Sequence, residues 1–262
     1  MNILYRGHFG DDLTVVNAAR VSMDLASEWD YRPEEKDGVC VVLTSLKEKD
    51  ARLIRYLADH GHWTPFGQVY FRFRIRMPIP IARQWYKHTI GFNRNEVSRR
   101  YIKSAPTFLH PEQWRMAPTG NVKQGSGDAF ASEESTAISS FYDEKIMEAE
   151  YAYNALLKRG VCPEQARFVL PQAMYTEFEE TGSLYAYARL CRLRLDGHAQ
   201  KEIQEYAQII SQHIGHYCPV SWDSLMSTLD DRIFLAIRKY LTSKDAGDLA
   251  ILEELMKRKD QK

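Results

Sequence analysis

The run VYFRFRIR at residues 69–76 sets the architecture. Phe71, Phe73 and Ile75 alternate with Tyr70, Arg72, Arg74 and Arg76. A period of two with one apolar face marks a half-buried strand of an antiparallel sheet. The outward arginine row can bind an anion or form a solvated or subunit-facing surface. A second strand is read at residues 174–181, MYTEFEET. Elsewhere the period becomes helical. Residues 47–60 place Leu53, Ile54, Leu57 and Ala58 on one face ahead of Gly61. Residues 134–159 form a long amphipathic helix closed by Gly160, and residues 183–195 form another helix. Arg192, Arg194, Asp196 and His198 lead into a long helix with Ala199, Ile203, Tyr206, Ala207, Ile210 and Ile214 inward. The expectation is an α+β fold, an antiparallel sheet flanked by long helices.

The 262 residues are read as one domain, 1–262, large enough to bury a core. Residues 103–133 are rich in Pro, Gly and Ser and read as a mobile insertion near an active-site mouth. Residues 229–262 read as a helical tail for packing or subunit contact. Lys plus Arg and Asp plus Glu are both 35, so no global basic field favours nucleic acid. No apolar run reaches bilayer length, and the N-terminus has no apolar signal core. Cys40, Cys162, Cys191 and Cys218 form no CxxC pair. They read as reduced thiols in a cytoplasmic protein, with no metal site or disulfide framework expected.

Just after the strand, Pro78 or Pro80 opens a helix over 78–90 that Gly91 ends. Arg83 and Lys87 lie four apart on one face, Gln84 and His88 on the next. The block RQWYKHTIGFNRNEVSRRY, 83–101, gathers Arg83, Lys87, His88, Arg94, Arg99 and Arg100 around Glu96 and Ser98. A surface helix would interleave acids, and a core element would not carry so many charges. A pocket for a phosphate and a second polar ligand suits the mixture, because Arg offers a planar fork and His a tunable proton. Residues 92–101 are expected as loop and turn, with Glu96, Ser98 and Arg100 on one side of an extended segment.

Four further stretches add candidates. DLTVVNAARVS, 12–22, delivers Arg20 and Ser22 to the end of a short element. Residues 24–45 read as a loop or lid. HGHWTPFGQ, 60–68, is a turn holding His60, His62 and Thr64. In GVCPEQARFVLP, 160–171, Arg167 stands in an apolar run and needs a partner, either an anionic ligand or a structural carboxylate.

Four of these segments stand in a telling order: NAARVS (17–22), HGHWTPF (60–66), RQWYKH…NEVSRRY (83–101) and PEQARFVLP…YTEF…LRLDGHAQKEI (163–203). Together they resemble the flavin-dependent thymidylate synthase, or ThyX, family over residues 12 to 218. The chain departs from the family's Arg-His-Arg, seven residues, Ser. Here Lys87-His88-Thr89 and eight residues precede Ser98. The family's asparagine after the YTEF strand is also missing, with Gly182, Ser183 and Arg189 in that region. The pattern looks like a variant branch, phage or viral in style.

The resemblance implies a ThyX-like fold and reductive methylation of dUMP to dTMP. Methylenetetrahydrofolate supplies the carbon, and NADPH reduces FAD. It implies substrate contacts from Gln84, Lys87, Glu96, Ser98, Arg99, Arg100, Arg167 and Arg194. It implies flavin contacts from His62, Thr64, Lys87, His88, Thr89, Glu96, Ser183 and Arg189, and a homotetramer with shared active sites. Arg194 and Ser98 are the catalytic candidates. Uracil C5 is a poor nucleophile, and a guanidinium at the N3–C4–O4 edge would stabilise the anion that activates it. A salt bridge to Asp196 or Glu202 is the ordinary alternative for Arg194. Ser98 as a nucleophile would need a base, and Glu96 normally titrates near ~4.3, so a hydrogen-bonding role is preferred. No GxGxxG is present, which excludes a Rossmann flavin site. Three other readings stay open: a hydroxymethylating or dCMP-acting relative, a nucleic-acid module using the arginine strand from Tyr70 to Arg76 and the arginines of 94–100, and a flavin-storing protein without turnover.

Overall fold

The alternation at 69–76 becomes the central strand pairing of a computed structural model, which describes residues 2–36, 39–102, 104–119, 125–227 and 229–259. In chain order the elements are β1 (Asn2–Phe9), α1 (Asp12–Arg20), β2 (Asp30–Lys36), β3 (Val39–Ser45), α2 (Glu48–Asp59), β4 (Tyr70–Pro78), α3 (Ile79–Trp85), β5 (Phe92–Glu96), α4 (Ser132–Lys158), α5 (Pro163–Ala166), β6 (Tyr175–Ser183), α6 (Leu184–Arg194), α7 (Lys201–Tyr217), α8 (Pro219–Met226), α9 (Leu229–Ser243) and α10 (Ala246–Lys259). They divide into two compact units, residues 1–8 with 70–213 and residues 9–69 with 214–262.

The first unit holds a four-stranded sheet in the order β1-β4-β6-β5. β4 and β5 each pair antiparallel with β6. Phe71, Phe73, Ile75 and Met77 are fully buried, as their alternation requires. Two of the opposite arginines meet glutamates of β6, while Arg76 Nη2 donates to Thr107 Oγ1 at 2.5 Å and its guanidinium lies over the Tyr175 ring. Arg74 grips Glu177 through two hydrogen bonds of 2.7 and 3.0 Å, and Arg72 Nε reaches Glu179 at 3.2 Å. Arg72 and Arg74 are therefore rungs of a cross-strand ion-pair ladder and not bare cations.

Trp85 of α3, Leu184, Tyr187 and Leu190 of α6, and Ile203, Tyr206 and Ile210 of α7 complete this core. Tyr187 stands edge-on to Phe73 and Phe92. β6 also places one charge inward. Glu180 is fully buried, accepts from Trp85 Nε1 at 3.0 and 3.1 Å, and pairs with Arg94, its direct neighbour on β5. Gly91 turns the chain from α3 toward β5 at φ +83°. A Cβ there would stand 2.8 Å from that of Ala186, so both conformation and space call for glycine.

In the second unit Val15 and Val16 of α1, Ile54 and Leu57 of α2, Phe66, and Trp222 and Leu225 of α8 are buried. Asp12 caps α8, accepting from the backbone N–H groups of Val220 and Ser221 at 2.9 and 2.8 Å.

Several sequence expectations need correction. Residues 24–45 are not a loop or lid throughout, because β2 and β3 form an antiparallel hairpin over most of them. Tyr31, Val41 and Val42 carried this strand signal, masked by Pro33 and the acidic Glu34 and Glu35. β1 has no counterpart in the sequence reading, since NILYRGHF mixes its polarity. The extended segment of 92–101 stops at Glu96, and Ser98 and Arg100 lie in a turn closed by Tyr101 N–H to Ser98 O at 3.0 Å. The run around Arg167 is not buried: Phe168 is 78% exposed.

Residues 103–133 carry hydrogen bonds of their own. Leu109 N–H bonds Ala173 O and Tyr175 N–H bonds Thr107 O, each at 2.8 Å. Met116 N–H bonds Asp128 O at 2.8 Å, and Trp114 Nε1 bonds Ser139 Oγ of α4 at 2.9 Å. Lys103 and residues 120–124 of this stretch, and Thr228 and residues 260–262 of the tail, lie outside the described residues. Among the described residues no helix is long and apolar enough to cross a membrane. Cys162, Cys191 and Cys218 are free thiols.

Candidate active site

The C-terminal ends of α3 and α6 lie together in the first unit, and His88 and Arg194 meet there. Arg194 Nε donates to His88 Nε2 at 2.9 Å, and Arg194 Nη2 reaches the Gln84 carbonyl at 3.5 Å. Since guanidinium only donates, His88 must offer a lone pair, so its imidazole is neutral. Burial, followed by the charges of Arg194, Arg94 and Arg189, lowers His88 to about 4. Burial also lowers Arg194, but from so high a starting value that it stays charged.

This has a consequence for stability. An unfolded histidine takes its proton near 6.5 and folded His88 near 4, so the unfolded state binds more protons in between. The contribution is present above pH 6.5 and is lost as pH falls toward 4. A His88→Asn variant keeps an acceptor for Arg194 and does not titrate. Its denaturation midpoint is expected to fall less between pH 7 and pH 5 than that of the parent protein. Equal slopes would show that His88 is not the neutral group described.

Next to this pair is a cavity of about 810 Å³, lined by Gln84, Arg115, Arg194, His198, Gln200 and Lys201 among others. No carboxylate lines it among the described residues. Cations and amides in a concave site suit an anionic, amide-like ligand. Arg115, Gln200 and Lys201 were not singled out from the sequence. Gln200 and Lys201 sit inside HAQKEI, whereas Arg115 stands in a Pro/Gly-rich stretch with no pattern to mark it.

The remaining candidates fall into groups. Lys87 and Thr89 are exposed in the turn after α3. Glu96 Oε1 accepts from Thr176 Oγ1 at 2.5 Å. Arg100 Nε donates to Ser98 Oγ at 3.1 Å, and Arg99 bonds the carbonyls of Ser104 and Ala105. Arg100 and Arg167 both reach Glu164, Arg100 at its carboxylate (3.7 Å) and Arg167 Nε at its carbonyl (3.3 Å). Two arginines 67 positions apart in sequence are thus gathered on one residue. Ser183 is buried as the N-cap of α6, its Oγ accepting from Ala186 N–H at 3.2 Å. Arg189 is exposed on α6.

His62 and Thr64 belong to the second unit. His62 lies beside the stacked rings of Tyr56 and His60, and Thr64 lines a cavity of about 750 Å³ with Asn17 and Gln68. Arg20 pairs there with buried Asp50 at 2.5 Å, and Ser22 caps back onto Ala19 O. Among the described residues no cluster of three or more His, Cys, Asp or Glu could hold a metal.

A sequence profile of the thymidylate synthase complementing protein family matches residues 6–220. The chain belongs to that family. A flavin-dependent thymidylate synthase of Thermus thermophilus is 36% identical over 228 residues, which is 87% of this chain and 76% of the relative. That of Thermosipho africanus is 35% identical over 220 residues, 83% and 87% of the two chains. The crystal structure of a UMP/dUMP methylase, PolB from Streptomyces cacaoi bound with 5-Br UMP, superposes with a TM-score of 0.71. It is 23% identical and covers 85% of this chain and 92% of PolB, a likeness of fold. The family match stops at residue 220, so α9 and α10 lie beyond it.

The family's named cofactor is a flavin, and the donor set here fits one. Burial first, and then the charges of Arg194, Arg94 and Arg189, hold the proton off His88, and the positive potential of those guanidinium groups stabilises an anion placed beside it. Lys87, Thr89 and Arg189 are exposed around that point and can hold such a group.

Proposed function

We propose that this protein is a cytoplasmic flavin-dependent thymidylate synthase, converting dUMP to dTMP with methylenetetrahydrofolate as carbon donor and FAD reduced by NADPH. Homology to enzymes of that name over most of the chain supports the reading. The observation that carries it is the Arg194–His88 contact at the wall of a cationic, carboxylate-free cavity.

Arg194 acts at the base. Methylation at C5 requires electron density there, and that density rises as the N3–C4–O4 edge takes up negative charge. A guanidinium cannot remove the proton, but it stabilises the anion as it forms. Neutral His88 fixes the direction of that guanidinium without competing for the anion. Were His88 protonated, it would repel Arg194 instead of accepting from it. Gln84 and Glu96 orient base and ribose. Arg100, Arg167 and the turn at Ser98 receive the phosphate, with Arg99 bracing the turn from behind. Ser98 is a hydrogen-bonding group here, since its hydroxyl already accepts from Arg100. Bound flavin would supply the reducing equivalents for the methyl group, held by His88, Lys87, Thr89 and Arg189, with Ser183 fixing the start of α6. Subunits of a homotetramer share these sites.

The test is the visible spectrum of the FAD-loaded protein under anaerobic conditions. NADPH is expected to bleach the flavin faster with dUMP present, and added methylenetetrahydrofolate to yield dTMP. A protein that binds FAD but makes no dTMP would overturn the proposal.

A further inference from the structure

His88 stands in a turn, and a buried ion pair fixes the peptide that carries it. His88 and Thr89 lie between α3 and β5, outside any helix or strand. Two hydrogen bonds tie the His88 peptide down. Its N–H donates to Trp85 O at 3.2 Å, and its carbonyl accepts from Arg94 Nη1 at 2.6 Å. Both partners converge on one carboxylate. Trp85 Nε1 donates to Glu180 Oε1 and Oε2 at 3.1 and 3.0 Å, and Arg94 Nε donates to Glu180 Oε2. The Arg94 guanidinium also lies over the Tyr86 and Phe92 rings, 5.4 and 4.7 Å from their centroids. Its Nε and Nη1 share one rigid plane, so the His88 carbonyl takes a set position relative to the carboxylate. Glu180 is fully buried on the central strand β6, which anchors the whole ring of contacts to the sheet. At the other end, the His88 imidazole accepts from Arg194 Nε at 2.9 Å.

We propose that Glu180 and Arg94 are positioning residues for the reaction: they fix the His88 peptide, and through its imidazole they aim the Arg194 guanidinium at the base. The proposal rests on the reading of Arg194 as the group that activates the base. Neither Arg94 nor Glu180 lines the cavity beside Arg194, so both act through His88. The residue types fit that role better than a purely structural one. A buried ion pair adds little net stability over an apolar pair of similar volume. An apolar pair, however, has no donor for the His88 carbonyl. The second carboxylate contact, from Trp85, holds the other side of the same peptide, so the sheet fixes His88 from both ends.

The experiment compares the FAD-loaded parent with two double variants, Arg94→Met with Glu180→Met and Arg94→Met with Glu180→Gln. In the second, the glutamine oxygen still accepts from Trp85, so only the Arg94 arm is removed. Each is measured for its urea midpoint, its dUMP dissociation constant, its single-turnover rate of dTMP formation and the ¹⁵N spectrum of its histidine rings. Both variants are expected to unfold near the parent's midpoint and to bind dUMP about as tightly. Both should form dTMP about 10- to 100-fold more slowly, the size of effect that a misplacement of about 1 Å produces. The His88 ring gives a reading that does not depend on turnover. Accepting through Nε2 places its proton on Nδ1, and the variants should shift toward the opposite tautomer as the Arg194 contact loosens. A purely structural pair, replaced without loss of stability, would leave rate and tautomer unchanged, and that result in either variant overturns the proposal. The glutamine variant carries the test if the double methionine fails to fold. A parent that makes no dTMP overturns the functional reading, while the tautomer still decides whether Arg94 and Glu180 position His88.

Discussion

Arg194→Ala is expected to lower the rate of dTMP formation by about 100- to 1,000-fold, the usual effect of deleting one preorganised donor at a developing anion. Binding of dUMP should weaken much less, because the phosphate contacts proposed for Arg100 and Arg167 are untouched. Single-turnover measurement on the reduced enzyme separates the two. Arg194→Lys should recover only part of the rate, since an ammonium lacks the planar fork that meets His88 and is proposed to meet the base. A second signature distinguishes this role from packing. Arg194 is one of the charges that hold His88 down, so its removal should let His88 titrate closer to its ordinary range. The activity that survives in Arg194→Ala should then fall between pH 7 and pH 6 more steeply than in the parent. An Arg194→Ala enzyme with near-parental single-turnover rate would exclude guanidinium activation of the base.

Stability should suffer most from a change at Arg94. Its guanidinium lies opposite Glu180 across β5 and β6 and is the only cation in contact with that carboxylate among the described residues. Arg94→Met leaves a fully buried carboxylate with only the neutral donors Trp85 and Tyr187. Breaking one side of a buried ion pair costs about 3–5 kcal/mol. Burial already raises Glu180 despite the opposing charge of Arg94, and the substitution should raise it further. A folded-state pKa above the unfolded one gives stability that is present at low pH and lost as pH rises through the folded value. The penalty in urea unfolding should therefore be larger at pH 8 than at pH 5. Replacing both members, Arg94→Met with Glu180→Met, should recover much of the loss, because paired apolar groups carry no desolvation cost. A single variant that unfolds like the parent at pH 8 would show that this pair does not brace the sheet. The site would feel the change too, since Arg94 also donates to the His88 carbonyl at 2.6 Å.

Much of this was legible in the chain before folding. The period of two at 69–76 and the helical periods of 47–60, 134–159 and 199–214 are local properties, and burial follows them closely at 69–76 and 203–214 but loosely in α4, where Ile146 and Tyr153 are buried and Phe141, Met147 and Tyr151 are exposed. Local stereochemistry decides such elements, so a short window suffices to read them. The order of four motifs was enough to mark the family, and the cluster of bases at 83–101 was enough to nominate a candidate site.

What each base does there could not be read the same way. Arg94, Arg99, Arg100 and Arg194 look alike in sequence, yet one neutralises a buried glutamate, one braces a turn, one joins Arg167 at Glu164, and one orients on a neutral imidazole. Partner choice depends on strand register and helix ends, which bring together residues far apart in the chain, 116 positions in the case of Gln84 and Gln200. Arg115 had no local signal at all, and the strands of 30–45 were hidden by Pro33 and charge. Residue order and type thus carried the elements and the chemistry on offer. The folded arrangement then sorted the charges that are spent on one another from those that face the cavity, because a charge pair depends on distance and burial in space and not on separation along the chain.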